Sequence, residues 1–305
     1  MRQVIVIVNP AAGSGRAVRA ASALHAAIDA SGAQRVTSAG PGDIERLARE
    51  AAQAGAERIV AIGGEGTIQE IANGLHGAAA LPVLGIVPGG NGNDLARALG
   101  LPRDPFVALA LALHAPGLPV DTGWARAGGR ERRFVAAGGV GFDAAVAGRM
   151  AGRRSWWQRG QAGYLLTTLD ELRRHRNARV EVVVDGIRLA LNGPILFAAF
   201  ANGAYYGGGM QICPTARPDD GKLDLCLVGD LSRLEALRQL PGLYRGAHVG
   251  HPRVAFHQFR TLRIDGDRAP LHLDGEPFGS LPLEVTVERG ALLVARPAGS
   301  GTVTA

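Results

Sequence analysis

The sequence predicts an α/β fold in two parts: an N-terminal open α/β domain over residues 1–125, and a C-terminal, mostly antiparallel β-sandwich domain over 126–297 with a tail at 298–305. Three observations predict it. In the first part, short apolar runs alternate with helix-forming stretches, the pattern of a parallel sheet covered by helices. Glycine-rich turns follow these apolar runs, which places loops at the carboxyl ends of the strands. From Val120 onward the pattern changes to short strand-like runs separated by Asp-Gly and Arg-Gly turns.

The elements follow in order. Val4 to Val8 is a strand, Asn9 to Gly15 its turn, and Ala17 to Ala30 a run of strong helix formers stopped by Gly32. Gly13-x-Gly15 does not complete a dinucleotide fingerprint, because Val18 stands where a third glycine belongs. Gln34 to Thr37 predicts a second strand, and Asp43 caps a helix running to Ala54. Arg58 to Ile62 suits a buried parallel strand. Thr67 and Glu70 have capping-box spacing, predicting a helix from Thr67 to Asn73. Val83 to Val87 is a further strand; Pro88 to Asp94 is a glycine-rich turn opening a helix, Leu95 to Leu99. In the second half strands are expected over 121–126, 133–137, 179–184, 187–191, 195–201, 223–228, 262–264, 271–273, 283–287 and 292–295. Asp185-Gly186, Asp265-Gly266 and Arg289-Gly290 read as hairpin turns, and helices are expected over 142–149, 160–176 and 232–243.

The chain has 305 residues, 47% hydrophobic and 20% charged, the composition of a folded globular protein. No apolar run reaches the ~18–20 residues of a membrane-spanning helix, and the opening segment reads as a strand rather than a secretion leader, so a cytoplasmic location is expected. Net charge is +6, and the cations are arginines apart from Lys222. A Walker-type loop, which needs a lysine after its glycine, is therefore excluded. The arginine excess points to an anionic partner, nucleic acid or membrane surface, although codon bias produces the same composition. Cys213 and Cys226 read as incidental buried thiols.

The stretch with most chemical content is Ile62 to Glu70. Gly63, Gly64 and Gly66 lie between a strand and a helix start, where exposed amides and the helix dipole favour an anion such as phosphate. Many α/β proteins have such a turn and bind nothing there. Glu65 inside it would repel a bare phosphate, so a nucleotide carrying a metal ion is the better match.

At this point four blocks resemble one family, the diacylglycerol/sphingosine kinase-type lipid kinases in their bacterial soluble branch. Asn9-Pro-x-x-Gly13-x-Gly15 resembles the family's first nucleotide loop. Gly63-Gly-Glu-Gly-Thr-x-x-Glu70 with Asn73-Gly74 resembles its signature G-G-D-G-T-x-x-E-x-x-N-G, and Pro88 to Arg97 resembles P-x-G-T-x-N-D-F-A-R. Gly139 to Ala144, Asn202 to Gly209, Pro214, Asp220-Gly-x-Leu-Asp224 and Leu273-Asp274-Gly275-Glu276 resemble its C-terminal blocks in order. The sequence departs from the pattern at Glu65, for the signature aspartate, and at Asn91, for a threonine.

The resemblance implies an ATP- and Mg²⁺-dependent kinase of a lipid alcohol, with the nucleotide in the first domain, the lipid in the second and the reaction between them. It implies ATP contacts at Asn9, Pro10, Ala11, Ala12, Gly13, Thr37, Gly63, Gly64, Glu65, Gly66, Thr67, Glu70 and Asn91. Glu276 is the candidate general base, with Glu65 also at the catalytic centre and Asp274 an orienter. Arg217, Asp220 and Lys222 match a Mg²⁺ site made of one carboxylate and two main-chain carbonyls. Read alone, Thr37 is a strand residue, Asp219-Asp220-Gly221 and Asp274-Gly275-Glu276 are turns, and Glu70 is a helix cap.

The insertion 142–179 holds Arg149, Arg153, Arg154, Arg159, Arg173, Arg174, Arg176 and Arg179 beside Trp156-Trp157 and Tyr164-Leu165-Leu166. It reads either as a solvated helix or as a face that rests transiently on anionic lipid at the inner membrane surface. Two other functions remain open: a kinase of a soluble substrate such as NAD, and a nucleotide-binding sensor weakened at Glu65. A nucleic-acid binder has no recognisable reading motif here, so no nucleic-acid partner is expected. The acceptor lipid and the oligomeric state are left open.

Overall fold

The computed structural model describes residues 3–151 and 161–297, excepting the side chains of 151 and 161–165. The chain divides into two compact units, Met1–Thr122 with Arg289–Ala305, and Gly123–Glu288. The tail at 298–305 lies outside the described residues.

In the first unit β1 (Val4–Val8), β2 (Gln34–Thr37), β3 (Arg58–Gly63) and β4 (Val83–Pro88) form a parallel sheet in the order β2-β1-β3-β4. Val6, Ile7, Ile59, Val60 and Ile62 are fully buried, as expected of strands covered on both faces. Val6, Val60 and Ile62 share a core with α1 (Arg16–Ala23), α2 (His25–Ala30) and α6 (Pro105–His114). Ile5, Ile7 and Ile59 point the other way, as the strand pleat requires, and α3 (Asp43–Gln53) and α4 (Glu65–Gly74) supply the packing beside these strands. A short α5 (Asp94–Ala98) follows β4.

Several local expectations are corrected. The helix expected over 17–30 is broken at Leu24, between α1 and α2. Asp43 does not cap α3: Gly42, at φ 80°, is the N-cap, and the Asp43 carboxylate accepts the Ala39 N–H at 2.8 Å. The capping box at Thr67 is absent. Extended Gly64 (φ −109°, ψ −165°) starts α4 two residues earlier than predicted, and the Thr67 hydroxyl is instead taken by Asn9. Helix α6 was not anticipated. Asp104 caps it, accepting from Phe106 and Val107, and Pro105 fills the first position, where no amide is needed.

The second unit is a sandwich. One sheet has the order β12 (Val254–Phe259), β11 (Leu223–Gly229), β10 (Ile195–Ala201), β7 (Ala137–Gly141), β14 (Pro270–Leu273), β15 (Glu276–Ser280), with antiparallel pairing throughout. Facing it are β8 (Val180–Val184), β9 (Ile187–Arg188), β13 (Thr261–Gly266) and the start of β16 (Leu283–Ala295), with the hairpin of β5 (Gly117–Ala127) and β6 (Arg130–Phe134). Val140, Phe200 and Leu225 from the first sheet meet Val182, Ile264 and Leu283 from the second in one core. The other face of the six-stranded sheet is covered by α7 (Phe142–Ala151), α8 (Gln161–Arg174) and α9 (Arg233–Leu243). Helix α9 carries a complete capping box between Ser232 and Glu235.

The hairpin expected at Arg289-Gly290 does not form. β16 runs on without a turn, the Gly290 N–H donating to Asp121 at 2.7 Å, and Leu293 and Val294 lie parallel to Val83 and Leu84 of β4. Residues from Arg289 on therefore group with the first unit rather than with a contiguous 126–297 domain. Asp265 and Gly266 likewise lie inside β13 rather than in a turn.

Candidate active site

In the first unit the loops after β1, β3 and β4 pack together, and their glycines are what let them do so. Gly13, at φ 61°, lies so near the third loop that a Cβ would sit 2.0 Å from the Gly89 carbonyl oxygen. Gly64 and Gly90 touch backbone to backbone, a Cβ on Gly64 falling 2.9 Å from Gly90 Cα. The Gly89 N–H donates to the Gly63 carbonyl at 2.7 Å. Asn9 joins the first loop to the second: its Nδ2 donates to Thr67 Oγ1 at 2.9 Å, while its Oδ1 accepts the Ala11 N–H at 3.0 Å. Asn93 closes the third loop on itself, exchanging hydrogen bonds with Gly90 N–H and Gly90 C=O. The loops thus form a preorganised rim at the carboxyl ends of three parallel strands, with the first turn of α4 in it.

Most of the nucleotide residues expected from sequence belong to this cluster: Asn9, Gly13, Gly63, Gly64, Glu65, Gly66, Thr67 and Asn91, with Pro10, Ala11 and Ala12 in the first loop. Gly66 has nothing within 4 Å of where a Cβ would be, so open space lies beside it. Thr37 is exposed at the end of β2, in register with Val8. Glu65 reaches across to accept the Asp94 N–H at the start of α5. Its Oε2 and Asp94 Oδ2 converge on Gly92, 2.9 and 3.4 Å from the position of a Cβ there. Asp94 is buried and takes Arg97 Nη1 at 2.9 Å. Glu70 caps nothing, and its Oε2 is buried with no hydrogen-bond partner among the described residues. Arg16 was missed from sequence. Its guanidinium donates to Asn91 Oδ1 and lies over Gly13, supplying a cation where no lysine is present. The basic residue just past the glycines was the signal that could have found it.

In the second unit Glu276 opens β15 immediately after a tight turn. Asp274 (φ 48°) and Gly275 (φ 84°) make that turn in the left-handed region. The Asp274 carboxylate accepts three backbone amides, Val135 (2.9 Å), Ala136 (2.9 Å) and Ala137 (3.1 Å), fixing the turn to the β6–β7 connection. Burial nonetheless pushes the Asp274 carboxyl above its ordinary value, against those amides. Below it, fully buried His272 takes the Gly275 N–H on Nδ1 (3.3 Å), which leaves Nε2 to donate to Asp143 Oδ2 (3.2 Å). A Cβ on Gly139 would fall 1.8 Å from that Asp143 oxygen, so the bare strand makes room for the pair. Glu276 itself is exposed, yet partial burial of its carboxyl raises its pKa, opposed by the charge of Arg132.

The candidate metal residues lie around the start of β11. Asp220 Oδ1 accepts the Lys222 N–H at 3.0 Å, and its Oδ2 takes Gln258 Nε2 at 3.3 Å. Lys222 Nζ donates to Gln258, and the Arg217 side chain pairs with Asp219. Asp224 is buried beside them, its Oδ2 without a hydrogen-bond partner among the described residues. Burial first and the Asp220 charge second push the Asp224 carboxyl up to about 6. A cation would suit this pair of acids. No cluster of three or more His, Cys, Asp or Glu side chains exists among the described residues.

Sequence reasoning also missed an apolar crevice of about 40 Å³ under α9. Phe142, Leu172, Phe197, Leu240, Leu243 and Val254 are among its walls. At that volume it holds about one water, whose share of the liquid is ≈ 30 Å³, so an acyl chain enters only if the helices part. Of the arginine-rich insertion, Arg149 is spent on Asp170 and on Glu171 (2.7 Å), and Arg174 also approaches Asp170. Arg153, Arg154, Trp156, Trp157 and Arg159, with the side chains of Tyr164 and Leu165, lie outside the described residues.

The described units are thus an α/β unit with a glycine-lined rim of loops and a β-sandwich with an acid on a clamped turn, a two-unit architecture that the comparisons with known proteins assign to a family. Residues 3–125 match the family described as diacylglycerol kinase catalytic domain, and 136–296 the YegS C-terminal NAD kinase beta sandwich-like domain. The chain is 32% identical over 299 residues to a diacylglycerol kinase of Mycobacterium tuberculosis, covering 97% of this chain and 95% of the relative. It is 35% identical over 275 residues to a probable lipid kinase YegS-like protein of Chromohalobacter salexigens, covering 89% and 86%. A crystal structure of a putative diacylglycerol kinase from Bacillus anthracis shares the fold, with TM-score 0.78 and 24% identity over 97% and 95% of the two chains. The chain belongs to the diacylglycerol kinase-type lipid kinase family, in its bacterial branch.

Proposed function

We propose that the chain is an ATP- and Mg²⁺-dependent lipid kinase that transfers the γ-phosphate to the hydroxyl of a diacylglycerol-like lipid at the cytoplasmic face of the membrane. The observation that carries this reading is the rim of three glycine loops, with open space beside Gly66 and the α4 dipole behind it. Backbone amides of the first two loops hold the nucleotide's phosphates, Arg16 adds a full positive charge, and Thr37 and Asn91 bound the nucleotide. Two carboxylates converging on Gly92, from Glu65 and Asp94, fit a divalent cation carried by the nucleotide. Such a cation, when bound, neutralises phosphate charge. Asp220, with the carbonyls of Arg217 and Lys222, fits a second, structural cation, given the raised pKa of Asp224 beside it.

Glu276 accepts the proton of the lipid hydroxyl late, as the oxygen–phosphorus bond forms. Its turn is held by Asp274 and by His272, so the carboxylate is positioned before substrate arrives. The domain assignment that goes with these roles is nucleotide in residues 1–125 and lipid in the sandwich. An acyl chain enters the apolar crevice under α9 once the helices that close it part. The test is γ-phosphate transfer to detergent-dispersed diacylglycerol beside NAD as acceptor, with Glu276→Ala as control. Labelled diacylglycerol, abolished by the substitution, is expected; label in NAD alone would overturn the lipid reading.

A further inference from the structure

We infer that α9 is the element that seats this protein on an anionic bilayer, an inference that rests on the lipid-kinase reading and names the partner surface of its sandwich unit. Helix α9 is apolar on two faces. Its inner face supplies Ala236, Leu240 and Leu243 to the apolar crevice. At about 100° per residue, Leu234, Leu237 and Pro241 fall on a stripe that adjoins this inner face, and the C-cap residue Tyr244 continues it. Their exposure agrees: Leu234 is 56% exposed, Leu237 38% and Tyr244 42%, and Val249 beyond the helix is 56% exposed. A buried inner face explains why a helix exists there; it does not explain an outer apolar stripe, which water disfavours.

The flanks of the stripe indicate what covers it. On the same helical wheel Arg233 lies on one side and Arg238 on the other, and Arg245 follows the C-cap Tyr244. All three are exposed, and none has a carboxylate partner among the described residues. The single acid of the helix, Glu235, is already used by the Ser232 capping box and lies 3.9 Å from Arg253. Leucine and tyrosine flanked by unpaired arginines match the headgroup region of an anionic leaflet. There the rings and aliphatic groups enter the acyl boundary while the guanidinium groups meet phosphate. The crevice adds continuity, since the helix whose inner face lines it is the helix that would lie on the membrane. Arg149 of the insertion, by contrast, is consumed by Asp170 and Glu171.

The test is co-sedimentation of the full-length protein with phosphatidylcholine vesicles, with and without phosphatidylglycerol. Wild type is expected to bind the anionic vesicles only, and less well as salt rises. At about 1 kcal/mol per arginine, each loss weakens binding about fivefold, so Arg233→Gln, Arg238→Gln and Arg245→Gln together reduce it about 100-fold. Leu234→Ser with Leu237→Ser is expected to reduce it at least about tenfold. Neither variant touches the crevice lining or the turn of Glu276, so transfer to a short-chain, water-dispersed diacylglycerol is expected to persist. Vesicle binding within about twofold of wild type for both variants overturns the inference. So does the dissociation of an oligomer in place of lost vesicle binding, which would mark the stripe as a contact between copies. Should α9-dependent binding hold while no lipid accepts phosphate, the kinase reading fails and the docking surface stands.

Discussion

Replacing Gly66 by alanine separates a glycine kept for folding from one kept for a ligand. Gly66 lies in the first turn of α4, its φ is not in the left-handed region, and nothing stands within 4 Å of the site of a Cβ. By folding criteria alone alanine is better there, by roughly 0.5–1 kcal/mol, because glycine loses more backbone entropy in a helix. Urea unfolding of Gly66→Ala is therefore expected to show a small gain in stability. The phosphate reading expects the opposite in binding: a methyl group beside the α4 amides obstructs the close approach of an anion, raising the ATP KM about tenfold or more, or roughly 1.4 kcal/mol. Gly13→Ala is the contrasting control. Its Cβ would meet the Gly89 oxygen at 2.0 Å at φ 61°, so it should lose about 2–4 kcal/mol of stability through strain and loop displacement. An ATP KM unchanged by Gly66→Ala, with the stability gain present, would refute the claim that the rim holds phosphate.

Four further outcomes are expected. Because burial raises the Glu276 pKa, the base is protonated at low pH, and the acid limb of the kcat/KM profile should lie above that of an ordinary glutamate; Arg132→Gln, removing the charge that lowers it, moves the limb further up. His272→Leu leaves the buried Asp143 carboxylate without its ring donor and Gly275 without its acceptor, and urea unfolding should show a loss of about 2–4 kcal/mol. His248 is buried with Nε2 against the Ile212 carbonyl, and burial lowers its pKa. The unfolded chain then binds the proton more readily, so stability at neutral pH should fall as pH drops below the ordinary histidine value, and His248→Gln should flatten that fall. Glu65→Asp should withdraw the carboxylate from the Asp94 N–H, costing about 1 kcal/mol of α5 capping, while raising kcat in a lipid-transfer assay if the longer side chain is what limits turnover.

The legible parts of the molecule were those whose cause is local. Val4–Val8, Arg58–Gly63 and Val83–Pro88 are apolar runs followed by glycines, and a run of that length between turns has few alternatives to a buried strand. Ser232 and Glu235 announce the start of α9 three residues apart. What stayed hidden depended on partners distant in sequence. Thr67 and Glu70 have cap spacing, but the Thr67 hydroxyl is claimed by Asn9, 58 residues away. Arg289-Gly290 has turn composition, but Asp121 takes the Gly290 amide and β4 takes the strand beyond it. β12 escaped notice because Val254 to Phe259 is only partly buried and interrupts its apolar residues with His257 and Gln258, leaving no clean alternation. Asp274 could be seen as an orienter from its place in the D-G-E block, whereas its three amide donors come from 135–137, which no spacing discloses.

Glu65 joins these two kinds of information. Its position among glycines implies a carboxylate facing phosphate, and the extra methylene relative to aspartate implies a different reach. Folding gives that reach a partner: one oxygen holds the amide at the start of α5, and the other stays with Asp94 beside Gly92. Two carboxylates at one glycine repel an uncomplexed triphosphate. On the proposed reading the same pair would draw in a divalent cation, which would reverse the sign of the local field toward phosphate. On that reading glutamate here would couple nucleotide binding to the metal more tightly than a loop of amides and Arg16 alone. ATP without a divalent cation should accordingly bind Glu65→Gln more tightly than wild type, and the order should invert when Mg²⁺ is added.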